Sequence, residues 1–308
     1  MSDARTDSRH SHKKGISRFG GVALIMSFLV AIFLDKNLVI SAPLLGVLIA
    51  SVLILFLGVI DDIKQVSWKL QLFSQLLIVI LIYVMGVRLQ YITNPFGGVL
   101  LFNTGLGSIV GFIISACWIL FIMNAMNWID GDDGVVGGVT FIGVISIFFL
   151  SLRPDVNQPP IAIITMTLAG GLLAFTFFNF HPAKIMAGTS GSVFMGFVLS
   201  VLAIFAGAKI ATTLLVLTVP IVDAIWVIGE RLKVGDSIFS ADKKHLHFRL
   251  REIGWSSKQI CMFYYFITAL VAFFALNAST AGKGVIFIVI ALMMIALLFA
   301  VRRKTLLI

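Results

Sequence analysis

Charge is scarce in this sequence. Of its 308 residues only 12% are Asp, Glu, Lys or Arg, half the ~25% usual for a soluble globular domain. Hydrophobic residues make up 59%, and the mean hydropathy is +1.07. A soluble domain of this size cannot hide so much apolar side chain, because most of its surface must be wettable. A soluble enzyme and a disordered protein are both excluded. Cysteine is scarce too. Cys117 and Cys261 both lie in apolar stretches, which excludes a disulfide scaffold and fits small buried thiols without a role. There is no internal repeat of the kind that marks the inverted halves of a transporter. What remains is an all-α, polytopic integral membrane protein. Its net charge of +9 then concerns topology and anionic lipid, and implies no nucleic acid.

A spanning helix needs ~20 apolar residues. Ten stretches qualify, at 19–35, 38–59, 70–87, 105–124, 134–152, 160–178, 190–206, 208–228, 260–277 and 282–301. The first follows a polar head, residues 1–18. It runs directly into Asp35-Lys36 without the small-residue pattern of a cleaved leader, so it reads as a span. The chain divides into that head and one transmembrane domain, residues 19–308, with a large polar loop at 229–259.

Ten spans put both termini on one side. That side holds the head, the 60–69 turn, Lys184, the 229–259 loop and Arg302, Arg303 and Lys304. It carries eighteen of the 23 basic residues, so the positive-inside rule makes it cytoplasmic. Of the fourteen acids only Asp35 and Asp155 fall outside, and all five histidines are inside. The polar chemistry gathers on one membrane face.

Four segments carry that chemistry. Asp61 and Asp62 end the second span. Charge at membrane depth costs several kcal/mol, which makes such residues functional candidates, and a divalent cation relieves the repulsion of adjacent carboxylates. Asn124, Asn127 and Asp130 follow at intervals of three, and so share one helix face near its end. Asp133 extends the row if the helix continues, and Gly131 and Gly134 permit a turn. Amides with carboxylates suit hydrated Mg²⁺ and nucleotide hydroxyls. The third segment runs from Asn179 through Lys184 to Gly188-Thr189-Ser190-Gly191-Ser192. A glycine- and hydroxyl-rich helix start of this kind offers backbone N–H groups to phosphate. The fourth holds His245, His247 and Arg249, with Lys243 and Lys244 beside them; these suit a metal or a pyrophosphate. The combination fits a substrate with a diphosphate beside one buried in lipid. A transporter also fits ten spans, but these charges lie at one face, away from the midplane where transporter sites sit.

These segments resemble the polyprenyl-phosphate N-acetylhexosamine-1-phosphate transferase family, glycosyltransferase family 4. The matching pieces are Arg18-Phe-Gly20-Gly21, Asp61-Asp62, Asn124-x-x-Asn127-x-x-Asp130-Gly-x-Asp133-Gly134, Asn179-x-x-Pro182-Ala-Lys184, Gly191-Ser192, and Asp223 with His245-x-His247-x-Arg249-Leu250. They run in family order from about residue 9 to 255 and are specific as a set. The His-x-His-x-Arg-Leu form resembles the N-acetylglucosamine branch more than the peptidoglycan branch, which transfers phospho-MurNAc-pentapeptide. The resemblance implies a cytoplasm-facing cleft in the cell (inner or plasma) membrane. There a sugar 1-phosphate, GlcNAc-1-phosphate first among them, passes from a UDP-N-acetylhexosamine to polyprenyl (undecaprenyl) phosphate. UMP is released, as the first membrane step of a cell-envelope polysaccharide such as lipopolysaccharide or teichoic acid. It further implies Mg²⁺, with Mn²⁺ as the alternative, and leaves a homodimer open.

By the same resemblance Asp61, Asp62 and Asp133 are catalytic, and Asp62, Asn127 and Asp133 hold the metal. Arg18, Asn124, Asn127, Asp130, Asn179, Lys184, Ser192, His245, His247 and Arg249 bind substrates. The sequence departs from the family at Thr189, where an Asp metal ligand is usual, and at Asp132, where an apolar residue is usual. Asp132 is expected to replace part of the charge lost at Thr189. Thr189 also leaves room for a catalytically silent member of the family.

Overall fold

Where no water is available, the backbone of an apolar run satisfies its polar groups only by closing them into a helix or a barrel. Helices are what this sequence forms. The computed structural model describes residues 16–94, 97–206, 210–238 and 243–305. Most of the head, Lys209 and Asp242 lie outside the described residues. The helices are α1 (Gly20–Leu34), α2 (Ala42–Lys64), α3 (Trp68–Val84), α4 (Gly105–Ile129), α5 (Val135–Ser151), α6 (Pro159–Asn179), α7 (Gly188–Phe205), α8 (Ile210–Val216), α9 (Thr218–Val234), α10 (Leu246–Glu252), α11 (Ser257–Asn277) and α12 (Thr280–Thr305). One short antiparallel hairpin, β1 (Tyr91–Thr93) with β2 (Val99–Leu101), joins α3 to α4.

Each of the ten apolar stretches is helical, but the structure does not give ten full-length spans. Among the described residues six helices are long and apolar enough to cross a membrane: α2, α4, α6, α7, α11 and α12. The stretch 208–228 makes a seventh only as a broken one, with α8 and α9 bent by 76°. The cause is Pro220, which lacks an N–H and whose ring would meet the carbonyl of Val216, four residues earlier. The hydroxyl of Thr218 donates to the Leu215 carbonyl at the break, at 2.6 Å. Helices α1, α3 and α5 are apolar but only 15, 17 and 17 residues long. The molecule is a multi-pass α-helical membrane protein.

α7 is the central pillar. Every residue from Ser190 to Ile204 is buried, and α1, α2, α4 and α5 pack on it. Two of these contacts need the smallest residue. A Cβ at Gly21 of α1 would lie 2.3 Å from the Cα of Gly191, and one at Gly58 of α2 would lie 2.3 Å from the Cα of Ser190. Small residues let helices approach this closely where lipid offers no hydrophobic drive for association. The result brings the C-terminal turn of α2, with Asp61 and Asp62, against the N-terminal turn of α7.

Candidate active site

The four polar segments converge at one end of the bundle. Asp61 Oδ1 accepts hydrogen bonds from the Val66 N–H at 2.8 Å and from the Gln71 amide at 2.7 Å. Its Oδ2 accepts the Thr189 hydroxyl at 2.7 Å. Asp62 Oδ1 accepts the Thr189 N–H at 2.9 Å, and its Oδ2 lies 3.4 Å from the Ser190 N–H. These amides open α7. The helix N-terminus, with its partial positive charge, therefore holds a carboxylate of the protein itself, where the sequence suggests a phosphate. Residues 17–21 run beside 185–187, with Gly20 N–H donating to the Met186 carbonyl and Gly21 N–H to that of Ala187, both at 3.0 Å. That places Arg18 within electrostatic reach of Asp62 and Asp130.

On α4 the three-residue spacing holds up to the helix end. Asn124 donates to Gln75 Oε1 at 2.8 Å, and Asn127 Oδ1 lies 2.7 Å from the Ser192 hydroxyl. The helix stops at Ile129, so Asp130 is its last polar neighbour on that face. Among the described residues Asp130 Oδ1 is buried with no hydrogen-bond partner. Burial drives its carboxyl well above the usual carboxylate range, Asp62 adds repulsion, and Arg18 offsets part of this.

Beyond Ile129 the row fails. A turn through Gly134, whose φ of +78° suits glycine, sends the remaining acids elsewhere. Asp133 leaves that helix face and meets His181, with Oδ2 to Nδ1 at 2.7 Å and to the Ala183 N–H at 3.2 Å. Asp132 is buried and accepts from Arg251 at 2.6 Å. Its Oδ1 is thus taken up by Arg251 and by the Asp133 N–H.

Asn179 is fully buried and joins two backbone segments. Its Oδ1 accepts the Gly134 N–H at 3.1 Å, and its Nδ2 donates to the Ile185 carbonyl at 2.8 Å. Lys184 is exposed. The histidine segment is held by Asp223, whose carboxylate meets His245 Nδ1 at 2.8 Å and the Leu246 N–H at 2.8 Å. The ring of His247 stacks on that of His245, with 6.2 Å between centroids, and lies against Gly131, where a Cβ would come within 2.1 Å of its Nε2. Arg249 faces inward to the loop. It donates to the Lys244 carbonyl at 2.6 Å and pairs with Glu230, which Arg302 also reaches at 3.4 Å.

Several partners escaped the sequence reading: Gln75, Trp128, His181, Glu230, Arg231 and Arg251. Trp128 carries the Arg231 guanidinium 5.6 Å from its ring centre and faces His245 at 5.7 Å. Gln75 was the one legible signal, an amide inside an apolar run that pairs with Asn124. The others follow from tertiary contacts alone.

Among the described residues no three of His, Cys, Asp and Glu are arranged to hold a metal by themselves. Mg²⁺ asks for less: one or two carboxylates, substrate phosphates and retained water. Asp62 and Asp130, near enough to repel each other and with Asp130 Oδ1 buried and unpartnered among the described residues, fit such an ion.

Fold and site together define a multi-pass membrane protein with a carboxylate-, amide- and cation-lined site at one end. Residues 44–207 match the family model described as glycosyl transferase family 4, and the chain belongs to that family. It is 29% identical over 298 residues to the "probable undecaprenyl-phosphate N-acetylglucosaminyl 1-phosphate transferase" of Bacillus subtilis, covering 95% of this chain and 80% of that protein. It is 32% identical over 305 residues to the "decaprenyl-phosphate N-acetylglucosaminephosphotransferase" of Mycobacterium tuberculosis, covering 88% and 74%. A "phospho-N-acetylmuramoyl-pentapeptide-transferase" of Borrelia hermsii is 29% identical over 299 residues, covering 87% and 83%.

Proposed function

We propose that this protein is a phosphoglycosyl transferase that moves GlcNAc-1-phosphate from UDP-N-acetylglucosamine to a polyprenyl phosphate of undecaprenyl type, releasing UMP. The observation that carries this is the electrostatic proximity of Asp62 and Arg18 to Asp130 at one end of a membrane bundle, where Asp130 Oδ1 is buried with no hydrogen-bond partner among the described residues. A lipid phosphate reaches such a site from the bilayer, and a nucleotide sugar reaches it from water.

In the reaction an oxygen of the lipid phosphate attacks the β-phosphorus of the donor. A new P–O bond forms, the bridging P–O bond to the α-phosphate breaks, and UMP leaves with that oxygen. A phosphate monoester is largely ionised near pH 7, since its second pKa is ~6. No strong base is needed, and the hydrogen-bonded Asp61 serves to orient. Magnesium, when bound by Asp62 and Asp130, supplies charge neutralisation for the diphosphate. Arg18 adds a positive charge on the same side. Asn127 and Ser192 order the wall between α4 and α7, and Asn124 is fixed by Gln75. Asp133 holds His181 and the turn leading to Lys184, whose exposed ammonium suits a substrate phosphate. His245 and His247, set by Asp223 and Gly131, face the donor's diphosphate.

The same reading puts this face in the cytoplasm of a plasma membrane, with ten crossings once the short and broken helices are counted. One observation favours a second reading. Thr189 gives Asp61 a neutral hydroxyl at 2.7 Å where the family usually places a carboxylate, as a catalytically silent member that kept only the frame would do. Purified protein with Mg²⁺, polyprenyl phosphate and a panel of UDP-sugars separates the two. UMP release with UDP-N-acetylglucosamine supports transfer; no release with any donor supports the silent frame.

A further inference from the structure

The turn 130–134 carries Asp130 and Asp133, yet its middle residue, Asp132, touches neither Asp61 nor Asp62 in any hydrogen bond. It is 1% exposed. Its Oδ1 accepts the Asp133 N–H at 2.8 Å and the Arg251 guanidinium at 2.6 Å, and its Oδ2 is buried without a partner among the described residues. Arg251 leaves α10, two residues beyond Arg249, and also donates to Ser257 Oγ at 2.7 Å. One guanidinium thus joins the turn, the histidine helix and the start of α11. From α11 the hydroxyl of Tyr265 reaches the same turn, donating to the Gly134 carbonyl at 2.7 Å.

We propose that Asp132 and Arg251 form a latch that presses the histidine segment, residues 243–256, onto the turn 130–134, and that both are positioning residues. Neither needs to touch a substrate. Their effect passes through His247, whose ring is seated on Gly131, and through Asp130 on the next residue. A buried carboxylate with one oxygen unpartnered tolerates the loss of its cation poorly. The latch therefore opens by swinging the histidine segment away, leaving the two halves of the site intact but apart. On the transferase reading proposed above, the donor's diphosphate bridges those halves, so opening weakens donor binding before it slows the chemical step.

The test uses the full-length protein in detergent, with Arg251→Ala, Asp132→Asn, their combination and Arg251→Lys. Two measurements are made: amide hydrogen exchange over 243–256, and UMP release against UDP-N-acetylglucosamine concentration. Arg251→Ala is expected to speed exchange in that segment and to raise the donor KM about tenfold, the size of one coupling between contacting residues, with a smaller change in kcat. The double variant should be no worse than the worse single one, and Arg251→Lys should recover most of both effects. Additive losses, or exchange over 243–256 unchanged in Arg251→Ala, would overturn the latch. If the unmodified protein releases no UMP, the transferase reading fails, and the exchange pattern alone still decides the latch. If Arg251→Ala does not fold, Asp132→Asn, which keeps the shape of the side chain, carries both measurements.

Discussion

At Thr189 one oxygen decides how the neighbouring carboxylates are used. Its hydroxyl donates to Asp61 at 2.7 Å. A carboxylate in its place cannot donate, and two carboxylates that close repel unless a cation lies between them. Thr189→Asp should therefore lower the Mg²⁺ concentration for half-maximal UMP release at saturating donor, read by metal titration. Asn179 makes a different demand. Its amide serves one buried N–H and one carbonyl, and each loses its partner in Asn179→Ala, at about 1–3 kcal/mol per group. The thermal midpoint of the detergent-solubilised protein should fall clearly, with or without substrate. Spacing made Asn124, Asn127 and Asp130 legible as one face, because helical periodicity is a local property. It could not place Asp133, because where the helix ends depends on the turn at Gly134 and on His181, forty-eight residues away.

At the scale of elements, the site depends on α2 and α7 touching. Gly58 allows Asp61 and Asp62 to reach the first turn of α7, and any side chain there meets the backbone of Ser190. Gly58→Leu should push α2 outward and cut turnover by about 10²-fold, the scale of a 1 Å misplacement. Gly170→Ala, on α6 with nothing within 4 Å of the new methyl, should leave turnover unchanged in the same assay. The apolar runs announced nearly every helix, since length and hydropathy alone force that outcome in lipid. The break at Leu217 was also written in the sequence, at Pro220, within a stretch read as one span. What hydropathy could not give was which helix stands at the centre. α7 is no more apolar than its neighbours, and it is central because glycines on three helices let the others close on it.

At the scale of the molecule, the ten-span reading of the sequence puts eighteen basic residues on the side that carries the four polar segments and five on the other. A thiol-reactive reagent that cannot cross membranes should label Asn157→Cys on intact cells and should not label Ser237→Cys until the membrane is opened. Labelling of Ser237→Cys from outside would invert the orientation. The central claim concerns which bond the protein breaks, and one measurement reaches it directly. UDP-N-acetylglucosamine carrying a radioactive phosphorus at the β position is incubated with the purified protein, Mg²⁺ and undecaprenyl phosphate, and the products are partitioned between solvent and water. Transfer of a sugar 1-phosphate carries the label into the lipid and leaves unlabelled UMP in the water. Label retained in the aqueous phase, as UDP or as unreacted donor, contradicts it.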